Sequence, residues 1–185
     1  QKTAYEIMPS LVGSALGMEA LLADGTDRVE RWLPVQMEGP AIEGIALHKE
    51  ALPWTVPEGP EEMWVEQALA REAIRRALTA ARPGWRAGRA QPYSHLMPFL
   101  DPILLSGGAL TGMERPGQVV LVALDAIEPV GISTLLLDVH GLAPLLGSAA
   151  HLKPLAAVET IDNGGILNLA TVVSPVGRAK EGEVI

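Results

Sequence analysis

Cysteine is absent from this 185-residue chain. Disulfides, thiolate metal sites and a cysteine nucleophile are therefore excluded. Positive charge is scarce: 14 Lys and Arg stand against 22 Asp and Glu, a net charge of −8. That balance argues against nucleic acid as a partner, because such binding needs a basic face. Long apolar runs are also missing. The longest candidate, Val119 to Val139, is broken by Asp125, Glu128 and Pro129, so a membrane span is not expected. The polar start, Gln1 to Glu6, has no leader pattern, and a cytoplasmic location is the default expectation. The chain opens on Gln1 rather than methionine and reads as a piece of something longer.

What is present is apolar residue, 48% of the chain, enough for a sizeable core in one domain or two small lobes. Ser10 to Ala23 is helical in its second half, and Asp27 is placed to cap a short helix holding Arg28 to Leu33. Residues 34–60 carry five prolines and three glycines and read as loop around a short segment, Ile42 to Leu52. Glu61 to Ala81 is the clearest helix. Met63, Ala70, Ile74, Ala77, Leu78 and Ala81 share one face, with Glu61, Glu72, Arg75, Arg76 and Thr79 opposite. Pro83-Gly84 stops it. A second loop, 83–98, follows.

Five elements come next: a strand at Ile103 to Leu105, a helix at Pro116 to Ile127 and a strand at Ser133 to Leu137. Leu142 to Ala157 is then helical with a bend near Pro154, and Ile166 to Val173 is a strand. This alternation predicts an α/β layer with a mixed, mostly parallel sheet flanked by helices. Two regions result: an N-terminal segment, 1–60, and an α/β lobe, 61–185.

Ligands of such layers sit beyond the carboxyl ends of the strands. Ser106-Gly107-Gly108 lies at such an end. By itself a glycine pair marks a tight turn. Equally, glycine lets a flat ligand approach the backbone. G-x-x-x-x-G-K-[ST] and G-x-G-x-x-G are both absent, so neither phosphate-binding fingerprint applies. G-x-S-x-G is absent too, which leaves Ser106 as a turn residue or ligand contact rather than a nucleophile. His48, His95, His140 and His151 are scattered, without the convergence a metal site needs. Asp138 ends a strand and is placed to cap the helix after Gly141. Asp125 is read as facing water, and Glu19, Glu61, Glu62 and Glu66 as solvated or helix-starting acids. Trp85, Arg86, Arg89, Tyr93, His95 and Phe99 form an aromatic–arginine loop of the kind enriched at interaction surfaces.

The string ILLSGGAL resembles the adenosine-binding strand–turn of actin-like ATPases. More widely, LGMEALLA with DRVERWLP, EQALAREAIRRAL, RPGQVVLVALDAIEPVGISTLLLD, GLAPLLGSAAHLKPLAAVE and LATVVSPVG resemble, in order, the MutL-type (GlmL) accessory proteins of glutamate mutase. The resemblance implies a C-terminal fragment with a ribonuclease H-like, actin-like ATPase lobe. It implies that Ser106, Gly107, Gly108 and Ala109 line the adenosine side of bound ATP-Mg²⁺. Gly13, Ser14 and Gly17 would form a degenerate phosphate loop, offering backbone N–H groups. The implied partner is an adenosylcobalamin-dependent mutase to be reactivated or assembled, with no cobalamin held by this chain itself. Two departures stand out. The first phosphate loop of the superfamily has no counterpart here, and Val12 to Gly17 contains no carboxylate for magnesium. Hydrolysis by this chain alone is therefore not expected. The residues leave open a non-catalytic interaction domain that has lost the nucleotide, and a small-molecule kinase or hydrolase fragment ranks last for want of a base or nucleophile.

Overall fold

The computed structural model describes residues 22, 23, 25–81 and 96–177. Helix α1 is a single turn, Asp27–Glu30. Helix α2 spans Gly39–Ala51, with Pro40 in its first turn. The proline-rich 34–60 stretch thus holds a thirteen-residue helix, more than the short segment its composition suggests. The reason is packing: Ile42 and Ala46, one turn apart, are both fully buried. Helix α3 spans Pro60–Ala81, about 33 Å at the usual rise. Acids occupy its first turn, and the Glu62 carboxylate accepts the Glu58 N–H at 2.8 Å. Both contacts suit the positive end of the helix dipole.

After residues outside the description, strand β1 (Ile103–Ser106) leads into a one-turn helix α4, Gly108–Thr111. Helix α5 spans Pro116–Ile127, as its sequence predicts. The Gln118 side chain accepts the Arg115 N–H at its start. Strand β2 (Gly131–Asp138) follows, then two short helices, α6 (Ala143–Ala149) and α7 (Pro154–Thr160). The bend foreseen at Pro154 is a full break. A π-turn, Ile161–Gly165, delivers the chain to β3, Leu167–Ser174.

The sheet order is β1-β2-β3. β1 and β2 are parallel, with Ile103 opposite Leu135 and Ser106 opposite Asp138. β2 and β3 are antiparallel, with Leu137 opposite Leu167. The fold is therefore α/β with a small mixed sheet flanked by helices. One parallel pair and one antiparallel pair replace the mostly parallel arrangement expected. The connection from β2 to β3 runs through two short helices and the π-turn, long enough for either direction, and the chain returns antiparallel along β2.

Two cores form. One lies between the sheet, α5 and α3, around Ile103, Leu105, Val119, Val122, Leu135 and Leu137. The other joins α1, α2 and α3 through Val29, Ile42, Ala46, Val65, Ala68 and Leu69. Helix α3 serves both. Ala70, Ile74 and Leu78 face the sheet core as its periodicity predicts. On the opposite face Glu61 and Thr79 are exposed as expected, but Glu72 is buried, as is its neighbour Arg71.

Glu72 is the hinge of this second face. Its carboxylate accepts the Trp32 Nε1–H at 2.8 Å and pairs with the Arg31 guanidinium. Arg31, Arg71 and Arg75 lie 5.2, 5.6 and 5.8 Å from the Trp32 ring centre, within cation–π range. Arg71 meets Asp125 at 2.8 Å, and Arg75 meets Glu128 at 2.8 Å. Asp125 therefore faces a cation on α3 rather than open water. Glu66 is likewise no free acid, because Lys49 of α2 sits 2.7 Å away with both side chains largely covered.

Burial pushes the Glu72 carboxyl up. Hydrogen bonds from Trp32 and Arg31 and the charges of Arg31 and Arg75 outweigh it, holding the group below the ordinary glutamate value. A depressed acid stabilises the fold above its unfolded pKa and loses that contribution as pH falls through the folded value. Glu72→Gln should cost about 2 kcal/mol at neutral pH, since one buried partner of an ion pair is lost. The gap from wild type should close on acidification below about pH 4. Urea denaturation of both proteins across pH 3–7 checks this, and a gap independent of pH would remove the ionised carboxylate from the account.

Candidate functional site

The site begins with how β1 ends. Leu105 is buried and Ser106 is exposed, so the strand leaves the core at the serine. Gly107 then takes φ 109° and ψ 148°, a left-handed conformation that side chains rarely adopt. Its carbonyl accepts the N–H groups of Leu110 and Thr111, both at 3.0 Å. Thr111 Oγ1 adds a third contact at 3.3 Å. The short helix is pinned from below by Leu110, buried in the sheet core. Gly108 is exposed, and a Cβ built there would meet nothing within 4 Å. The turn thus presents open backbone to solvent at the carboxyl end of β1.

The neighbouring strand ends at the same level. Asp138, opposite Ser106 in the parallel register, is fully buried. Its two carboxylate oxygens accept the N–H groups of Leu142 and Ala143, each at 2.8 Å. This is the capping role foreseen for it, and both oxygens are occupied by backbone. Asp138 is thereby a structural acid beneath the strand ends. Val139 and His140 project above it, both exposed.

Chemically, the ends of β1 and β2 offer a serine hydroxyl, glycine backbone and small side chains. A flat neutral ring system matches that surface better than a phosphate, which would call for cations or several converging N–H groups. Ser106, Gly107, Gly108 and Ala109 form one continuous turn. Gly13, Ser14 and Gly17 lie outside the described residues, as do Trp85, Arg86, Arg89, Tyr93 and His95. Phe99, the described end of that loop, lies against Gly131, where an added Cβ would stand 2.9 Å from its ring. Among the described residues, no group of three or more His, Asp or Glu side chains is arranged to hold a metal. No helix among them is long and apolar enough to cross a membrane.

The Trp32–Glu72 cluster escaped the sequence reading. Its signal was available: a mid-helix acid between Arg71 and Arg75, and an Arg31-Trp32 pair upstream. Helical periodicity alone places such an acid on the polar side and cannot show that a tryptophan covers it.

Asp138→Ala should destabilise the fold by about 1–3 kcal/mol, because two buried N–H groups lose their acceptors. Asp138→Asn, which keeps one oxygen acceptor, should cost less. Chemical denaturation orders the three proteins, and equal stability of wild type and Asp138→Ala would contradict the cap. A scan against protein-family models, a search of curated proteins and a search of solved structures each returned no match.

Proposed function

We propose that this chain is the adenosine-contacting part of an actin-like accessory protein that assists an adenosylcobalamin-dependent mutase. The observation that carries the reading is the exposed Ser106-Gly107-Gly108 turn at the carboxyl end of β1, with open space above Gly108. Ligands of α/β sheets collect at such ends. The neutral, flat character of the turn suits a purine and ribose. Gly13, Ser14 and Gly17 are assigned to the phosphate side on the resemblance of their stretch, and the mutase partner rests on the resemblance of the whole chain. The ribonuclease H-like lobe is a proposal of the same kind, supported by the strand–helix–strand run from Ile103 to Asp138. In this reading the nucleotide is bound between lobes, and closure around it couples its state to the mutase contact.

A second reading has one observation in its favour. Leu145 on α6, Leu152 in the turn that follows, and Leu155 and Val158 on α7 are exposed, as suits a domain whose work is protein contact. That domain would have no use for ATP.

Calorimetric titration with ATP-Mg²⁺ separates the two. The nucleotide reading expects saturable binding that Gly108→Val abolishes. The space beyond Gly108 admits a side chain without a clash in the protein, so the variant should keep its fold while blocking the ligand. Binding of equal strength in the variant would remove the glycines from the site. A melting temperature unmoved by ATP-Mg²⁺ favours the interaction domain, since a ligand of the native state must raise stability.

A further inference from the structure

The chain has two asparagines, Asn163 and Asn168. Both are exposed, but only Asn163 is followed by glycine. An asparagine amide is lost when the next residue's backbone nitrogen attacks the side-chain carbonyl carbon, and a side chain on that next residue obstructs the approach. Gly164 has none, and a Cβ built there would meet nothing within 4 Å. Regular helix or strand also opposes the attack, by holding that nitrogen in place. Asn163 (φ −86°, ψ 18°) and Gly164 (φ 88°, ψ 15°) depart from helical geometry inside the π-turn Ile161–Gly165, which buries no residue. Swinging the nitrogen toward the side chain there uncovers no core. Asn168 lies within β3, opposite Leu136, and is followed by Leu169, which packs on the sheet core.

The amide at risk has a structural use. Asn163 Nδ2 donates to the Glu159 carbonyl at 2.7 Å, satisfying one of the last carbonyls of α7. A carboxylate in its place cannot donate. It would also stand at the negative end of the helix dipole, next to Asp162. The isomeric product, isoaspartate, adds one carbon to the backbone path. The turn has no slack for it, since a Cβ on Gly165 would stand 2.6 Å from the Thr160 carbonyl oxygen. Two residues beyond Gly165 the chain enters β3, whose Leu169 and Val172 pack on the sheet core.

We propose that Asn163-Gly164 is a site of self-modification whose products loosen the seating of β3. The Gly164 nitrogen gives up its proton and bonds to Asn163 Cγ. The Cγ–Nδ2 bond breaks, ammonia leaves with that proton, and a cyclic imide remains. Water then opens either imide carbonyl, giving aspartate or isoaspartate, with no other co-reactant. The proposal stands apart from nucleotide binding and holds whether or not ATP binds. Incubation of the folded protein at mildly alkaline pH tests it, read by peptide mapping and by urea denaturation. Asn163 should lose its amide to a mixture of aspartate and isoaspartate while Asn168 keeps its own. The aged fraction, separated by anion exchange on its added negative charge, should unfold at lower urea than fresh protein. Asn163→Gln, whose longer side chain forms the imide far more slowly, should age with no shift in its own urea midpoint. An amide retained at Asn163, or lost no faster there than at Asn168, overturns the proposal. So does an aged fraction as stable as fresh protein, or an Asn163→Gln variant that loses stability on ageing as the wild type does.

Discussion

A carboxylate taken out of water must be fully compensated or it will not stay charged. Glu72 meets that demand through the Trp32 indole and the Arg31 guanidinium, and the rest of the structure is arranged around the result. Trp32 can approach α3 only because Glu72 takes its N–H. Three guanidiniums can gather near one ring only because Glu72, Asp125 and Glu128 balance them. The bond fixes the rotation of α3 about its axis. With that rotation fixed, Val65 and Leu69 face α2 while Ala70 and Ile74 face the sheet.

Periodicity and punctuation made much of this fold legible. Pro116 opens α5 at its first turn, and Ile103, Ser133 and Ile166 each stand within two residues of a strand end. Asp138 was readable as a cap because it stands between a strand and the glycine that precedes a helix. Pairing was less accessible. Nothing in LNLATVVS says that β3 runs antiparallel to β2, since a connection long enough for two helices allows either direction. Residue composition also misled at 34–60, where proline suggested loop. Pro40 there sits in the first turn of α2, where its missing N–H costs nothing. The polar stripe of α3 misled at one position for a related reason: Glu72 is polar by type and buried by context.

The candidate site was legible as a location and less so as chemistry. The glycine pair announces a turn at a strand end, and the turn is there, with its backbone open. Its neutrality becomes clear only in three dimensions, where Asp138, the nearest acid in register, is consumed by Leu142 and Ala143. An acid that looks available for metal or substrate in the sequence is spent on holding α6.

Although Ala73 packs on the first core and Leu169 and Val172 on the second, the buried residues of the two cores come from separate stretches of chain, 29–69 for one and 70–137 for the other. They meet between Leu69 and Ala70, neighbours in one helix. Each half can assemble from contacts close in sequence, which favours rapid local organisation. The finished protein, however, has no seam where one half can open alone without fraying the shared helix. Amide protons in the middle of α3 are covered by both cores and exchange only when both are lost. The slowest-exchanging amides belong there, and the two halves behave as one cooperative unit for as long as that helix persists.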